Sequence, residues 1–182
     1  MVAGRKPLPE GESAGLVYSR FNHPNLEIVE DRLALLDDSE AAAVTSSGMS
    51  AIAAILLAFL RPGDCVVQSA PLYGGTETLI SKFLPDWGVR SQVIGDGLSR
   101  DAIRSALDAA AQKGRVGICY VETPANPTNA LFNLEALRQE IDAFETRHGY
   151  RPLSVCDNTL LGPLFQKPAN QGIDLSVYSL TK

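Results

Sequence analysis

The sequence predicts an α/β domain with a mostly parallel sheet flanked by helices. Three observations predict it. Short β-prone runs alternate with helical stretches along most of the chain. Most of the runs are predominantly apolar, as strands covered on both faces are. The chain has 182 residues, 45% of them apolar, which is enough for one domain with a sizeable core and short for two.

The elements follow in order. Residues 1–17 carry several Pro and Gly and no periodicity, and they read as an extended arm or loop. Leu26, Val29, Leu33 and Leu36 then recur at helical spacing, with Asn25 available as N-cap. Candidate strands are Ala41–Thr45, Cys65–Gln68, Arg90–Ile94, Val116–Val121, Leu153–Cys156 and Leu175–Tyr178. Candidate helices are Met49–Leu60, Gly75–Pro85, Arg100–Lys113 and Leu134–His148. Arg61-Pro62-Gly63-Asp64 stops the first of these, and Gly149 suits the C-terminal cap of the last.

Composition narrows the function. A formal net charge of −5 is the wrong sign for a non-specific nucleic-acid binder. The N-terminus lacks the apolar region of a secretory signal, and the longest apolar stretch, Ala51–Leu60, suits a buried helix rather than a membrane span. Cys65, Cys119 and Cys156 form no CxxC pair and lie in apolar runs, as reduced cysteines of a cytoplasmic protein do. His23 and His148 stand far apart and belong to no ligand-spaced cluster, so no metal site is expected. No G-x-G-x-x-G follows the first strand, which argues against a dinucleotide enzyme.

In open α/β sheets ligands bind beyond the carboxyl ends of the strands. The unusual residues fall there. Ser46-Ser47-Gly48-Met49-Ser50 opens a helix, and reads either as a phosphate cradle or as a plain Ser/Gly cap. Tyr73-Gly74-Gly75 suits a ring held against a flat ligand, or a turn with a partly buried tyrosine. Two prolines in Glu122-Thr123-Pro124-Ala125-Asn126-Pro127 aim Glu122 and Asn126, or serve as structural punctuation. Asp157 closes an apolar strand, where its charge needs a partner such as a protonated ring nitrogen. Lys182, beside the hydroxyls of Ser179 and Thr181, reads as a Schiff-base nucleophile or as a solvated residue. Pyridoxal 5′-phosphate needs this combination: a phosphate cradle, a stacking ring, an aspartate on the pyridine nitrogen and a lysine.

From about Tyr18 to Lys182 the chain resembles the Cys/Met-metabolism family of pyridoxal-phosphate enzymes, of fold type I. That family includes cystathionine γ-synthase, cystathionine and methionine lyases and O-acylhomoserine sulfhydrylases. The motifs are Tyr18-Ser19-Arg20, Ser47-Gly48-Met49-Ser50-Ala51, Tyr73-Gly74-Gly75-Thr76, Glu122-Thr123-Pro124-Ala125-Asn126-Pro127, Asp157-Asn158-Thr159 and Ser179-Leu180-Thr181-Lys182. The resemblance implies γ-elimination or γ-replacement on sulfur-containing or O-acylated amino acids. It implies Lys182 as the Schiff-base lysine, Asp157 as the partner of the pyridine nitrogen, and Tyr73 as stacking ring and acid/base. Gly48, Met49, Ser179 and Thr181 would hold the phosphate, Asn126 would lie near the ring oxygen and Thr159 near the ring.

By the same resemblance, residues 1–25 form an arm whose Tyr18 and Arg20 reach the neighbouring subunit's phosphate, so that a homo-oligomer, dimer or tetramer, is expected. Residues 26–182 form the cofactor-binding large domain. His23, where the family pattern differs, either alters the site entrance or serves a turn. Gly75 stands where methionine γ-lyases carry a cysteine. Family members continue past the lysine into a smaller domain that grips the substrate carboxylate. The 182 residues are therefore expected to be a truncated core, poorly stable and weakly active alone, or else an inactive fragment or remnant.

Overall fold

The computed structural model describes residues 15, 18–20 and 22–182. Most of the arm expected over residues 1–17 thus lies outside the described residues. Two compact units are present, Met1–Thr45 and Ser46–Lys182.

In the first unit, helix α1 spans Pro24–Asp37. Its N-cap is His23 and not the expected Asn25: the His23 Nδ1 accepts the Asn25 N–H at 3.2 Å. The shift has a simple cause. Pro24, with no N–H and a fixed φ, is suited to the first helical turn, which moves the cap one residue upstream of it. Asp38, in the left-handed region at φ 55°, closes the helix. The strand expected over Ala41–Thr45 is absent, and those residues are irregular. Ala41–Ala43 offer little branched surface to pack on a pleat, and the Val44 N–H donates to the Glu30 carboxylate at 2.9 Å instead of to a neighbouring strand.

The second unit holds a five-stranded sheet in the order β2-β1-β3-β4-β5, every pair parallel. The strands are β1 (Cys65–Gln68), β2 (Arg90–Val93), β3 (Val116–Glu122), β4 (Leu153–Asp157) and β5 (Leu175–Val177). β1, β3 and all of β4 but its first residue are buried, as continuous apolar runs predict. β3 and β4 each run one residue further than expected, to take in Glu122 and Asp157; β2 and β5 each end one residue sooner.

Helix α2 spans Gly48–Phe59, α4 Arg100–Ala111 and α5 Leu134–His148. Ser47, Ser99 and Asn133 cap their N-termini through side-chain oxygens. Gly149, at φ 75°, closes α5. The helix expected over Gly75–Pro85 is broken into three kinds of turn: α3 at Gly74–Thr78, a π-turn at Leu79–Phe83 and a 3₁₀ turn at Leu84–Trp87. Pro85 lacks the N–H that a continuing α-helix requires. A short α6, Gly162–Phe165, and a 3₁₀ turn at Pro168–Gln171 link β4 to β5. Both are too short to show a helical period in sequence.

The sheet is packed on both faces. One core carries Val67, Cys119, Val121 and Cys156 against Ile103 and Leu107 of α4 and Leu137, Ile141 and Phe144 of α5. The other carries Val66, Ile118, Tyr120, Val155 and Val177 against Ile52 and Leu56 of α2 and Ile80 of the π-turn. β1 leads outward to β2, and the chain then crosses back over β1 to β3. That reversal opens a crevice between the ends of β1 and β3.

Candidate functional site

The Glu122 and Asp157 side chains share the α2 face of the sheet with Tyr120 and Val155, because residues two apart point the same way. The parallel register sets Glu122 directly beside Asp157, and Asp157 beside Val177. Both carboxylates are nearly closed off, 5% and 7% exposed. They border a cavity of about 300 Å³.

Asp157 is fixed at both oxygens. Its Oδ2 accepts the Tyr120 hydroxyl at 3.2 Å, and its Oδ1 accepts the Thr159 N–H at 3.1 Å. Thr159 in turn accepts the Ser179 N–H on its hydroxyl at 2.8 Å, which ties the loop after β4 to the loop after β5. Burial pushes the Tyr120 phenol well above its ordinary value, with the charges of Asp157 and Glu122 adding to it. Tyr120 is therefore a donor to Asp157 throughout the physiological range.

Glu122 works on the other side of the crevice. Its Oε2 accepts the Tyr73 N–H at 2.6 Å and its Oε1 the Asn126 N–H at 2.8 Å. One side chain thereby holds the loop after β1 against the loop after β3. Burial pushes its carboxyl above the usual carboxylate range, the two N–H donors resist that, and the nearby Asp157 adds to it.

The rim is made by the start of α2. The Ser47 Oγ accepts the Ser50 N–H at 3.1 Å, and the first turn leaves the Gly48 and Met49 amides without helical partners. A Cβ on Gly48 would stand 2.8 Å from the Ser179 Cβ, so glycine alone permits this approach of helix to loop. At Gly75, a Cβ would meet the Tyr73 ring at 2.7 Å and the Met49 Sδ at 2.9 Å. The Tyr73 ring thus folds over Gly75 beside Met49, and remains 45% exposed at the mouth of the cavity.

Nine of the residues expected at the site line this one cavity: Gly48, Met49, Tyr73, Asn126, Asp157, Thr159, Ser179, Thr181 and Lys182. Tyr18 and Arg20 belong to the first unit, where the Arg20 guanidinium lies 5.7 Å from the Tyr18 ring centre. His23 caps a helix. Two contributors were not assigned a site role from sequence, Glu122 as a clamp and Tyr120 as a donor. The signal for Glu122 was the one that exposed Asp157, a carboxylate closing an apolar strand. Tyr120 lies two residues before Glu122 and so on the same face.

The residues fit pyridoxal 5′-phosphate. A glycine-lined helix start offers unpartnered amides for a phosphate. Opposite lie a buried carboxylate for a protonated ring nitrogen, an aromatic ring for the ring face, and the amine of Lys182. Among the described residues, no group of three or more His, Cys, Asp and Glu is placed to hold a metal ion, and no helix is long and apolar enough to cross a membrane.

Comparison with known proteins agrees. Residues 3–182 match the family described as Cys/Met metabolism PLP-dependent enzyme. The chain is 36% identical over 171 residues to an L-methionine gamma-lyase of Fusobacterium nucleatum subsp. polymorphum, covering 94% of this chain and 40% of that protein. It is 35% identical over 173 residues to an O-succinylhomoserine sulfhydrylase of Mycobacterium tuberculosis, covering 94% and 39%. The crystal structure of metB from Corynebacterium glutamicum superposes with a TM-score of 0.83 at 26% identity, covering 100% of this chain and 45% of that one. The chain spans about 40% of the length of the curated relatives it matches.

Proposed function

Because the chain belongs to the Cys/Met-metabolism family of PLP-dependent enzymes, we propose that it forms the coenzyme-binding core of an enzyme for γ-elimination or γ-replacement. The substrates are sulfur-containing or O-acylated amino acids. The observation that carries this reading is the convergence of the α2 N-terminus, Asp157 and Lys182 on one cavity. When bound, pyridoxal 5′-phosphate supplies an electron-accepting ring that stabilises negative charge developing at the substrate α-carbon.

The chain's own residues do the rest. The Gly48 and Met49 amides, with the Ser179 and Thr181 hydroxyls, bind the phosphate. The Asp157 carboxylate holds a proton on the ring nitrogen, and Tyr120 and Thr159 fix the plane of that carboxylate. Tyr73 would cover the ring face, with its hydroxyl available to give a proton to the departing γ-substituent, and Asn126 would lie near the ring oxygen. The Lys182 amine would hold the coenzyme and, once the substrate amine has displaced it, be free to take the α-proton. Residues 1–25 act as an arm, with Tyr18 and Arg20 completing a neighbouring subunit's phosphate site in a cytoplasmic homo-oligomer.

Incubation with pyridoxal phosphate, borohydride reduction and peptide mapping test this reading. A single adduct on Lys182 is expected; label scattered over surface lysines would sink it.

A further inference from the structure

The Glu122 side chain touches both loops of the crevice and takes no part in the reaction roles proposed above. Its two oxygens are divided between the Tyr73 N–H at 2.6 Å and the Asn126 N–H at 2.8 Å. Its own N–H donates to the Ser69 hydroxyl at 3.1 Å, which pins the strand end from which it projects. No cation is among its partners: both are backbone donors. A carboxylate facing two N–H groups satisfies both, whereas a neutral carboxylic acid or a carboxamide has a single good acceptor oxygen.

We propose that Glu122 is a positioning residue whose ionised carboxylate draws the Tyr73 and Asn126 loops together and so sets the walls of the coenzyme pocket. The inference rests on the coenzyme reading above. The titratable groups around Glu122 are Asp157, beside it on β4, Tyr120 on its own strand, and Tyr73 and Lys182 on the cavity wall. Burial already raises the Glu122 carboxyl, and Asp157 raises it further. The two N–H contacts act the other way and favour the ionised form, so the grip on the two loops is strongest with the carboxylate ionised even though burial makes that ionisation costly to the fold as a whole.

The test compares the full chain with Glu122→Gln, which keeps the volume and removes one acceptor. Above the carboxyl's midpoint, the Kd for pyridoxal phosphate should rise about tenfold, and the Tyr73 or the Asn126 amide should exchange with deuterium faster. As pH falls through that midpoint the two proteins should converge, because acid and amide then offer the same single acceptor. A merely structural loss would persist at every pH. In the wild-type chain alone, the Tyr73 and Asn126 amide nitrogens should titrate with the same midpoint as the Glu122 carboxyl carbon. Equal Kd values at all pH, or amide shifts that ignore that midpoint, overturn the proposal while the Lys182 adduct still forms. Absence of the adduct in the wild type overturns the coenzyme reading instead, and this inference with it.

Discussion

Glu122 and Glu140 are both buried glutamates of one small unit, and they are handled in opposite ways. Glu140, on α5, is fully covered and meets two arginines of α4: Arg100 Nε at 2.7 Å and Arg104 Nε at 2.9 Å, with a further Arg104 bond at 3.0 Å. Burial alone would raise its carboxyl, but the hydrogen bonds and charges of the arginines outweigh that and hold it below the usual carboxylate range. Glu122 has backbone donors only, and burial wins. The first glutamate locks two helices together. The second keeps a titratable group at the edge of a cavity. The kind of partner thus separates a carboxylate that serves the fold from one that serves the site.

The contrast is most easily broken from the arginine side. Arg100→Ala with Arg104→Ala strips Glu140 of both its cations, and the largest drop in the urea midpoint of this series is expected. On the cavity side the costs are smaller. Gly48→Ala forces a methyl against the Ser179 backbone and side chain, and should cost about 1–3 kcal/mol while weakening phosphate binding in titration calorimetry. Tyr120→Phe removes one donor from Asp157 and keeps the ring volume, for about 1 kcal/mol in the same denaturation assay.

The subtlest effect is one of sign. Glu140 has a lowered folded value, so its contribution is present above the unfolded value near 4.5 and is lost as pH falls through the folded one. Glu122 has a raised folded value, so its contribution is present below 4.5 and is lost as pH rises through the folded one. Stability measured against pH should therefore diverge in opposite directions for Glu140→Gln and Glu122→Gln. The wild type should gain on the first variant with rising pH over the lower window, and lose ground to the second over the upper one. Parallel curves would show that the two carboxylates are not distinct.

Much of this was legible in the residues. β1, β3 and β4 announced themselves because strands buried on both faces are predominantly apolar. α5 was bounded correctly at its C-terminus because Gly149 carries cap chemistry, and the structure adds Asn133 as its N-cap. The Ala41–Thr45 run was misread because its apparent β-character came from Val44 and Thr45, while three alanines carry no preference for a pleat. The α1 cap was misplaced because a histidine imidazole served where asparagine was expected. At the site, the residues that would touch a ligand stood out as polar groups on strand ends. Glu122 and Tyr120 did not acquire roles, because one of the two backbone N–H partners of Glu122 is distant in sequence and the partner of Tyr120 is a carboxylate on another strand. Such partners are chosen by register, which alternation of residue types does not reveal.

That register has its own consequence for assembly. Side chains on a strand alternate between faces, so a slip of β4 by one residue against β3 would turn Asp157 toward the α4–α5 face and bring Cys156 to the cavity. There the carboxylate would lose both the Tyr120 hydroxyl and access to the cavity, in a layer made of Cys119, Val121, Leu137 and Ile141. A mispaired sheet would carry a naked charge in its driest layer. Register and cavity are thus tied together: a mispaired β4 would bury Asp157 without a partner, whereas the native pairing sets it beside Glu122 at the cavity.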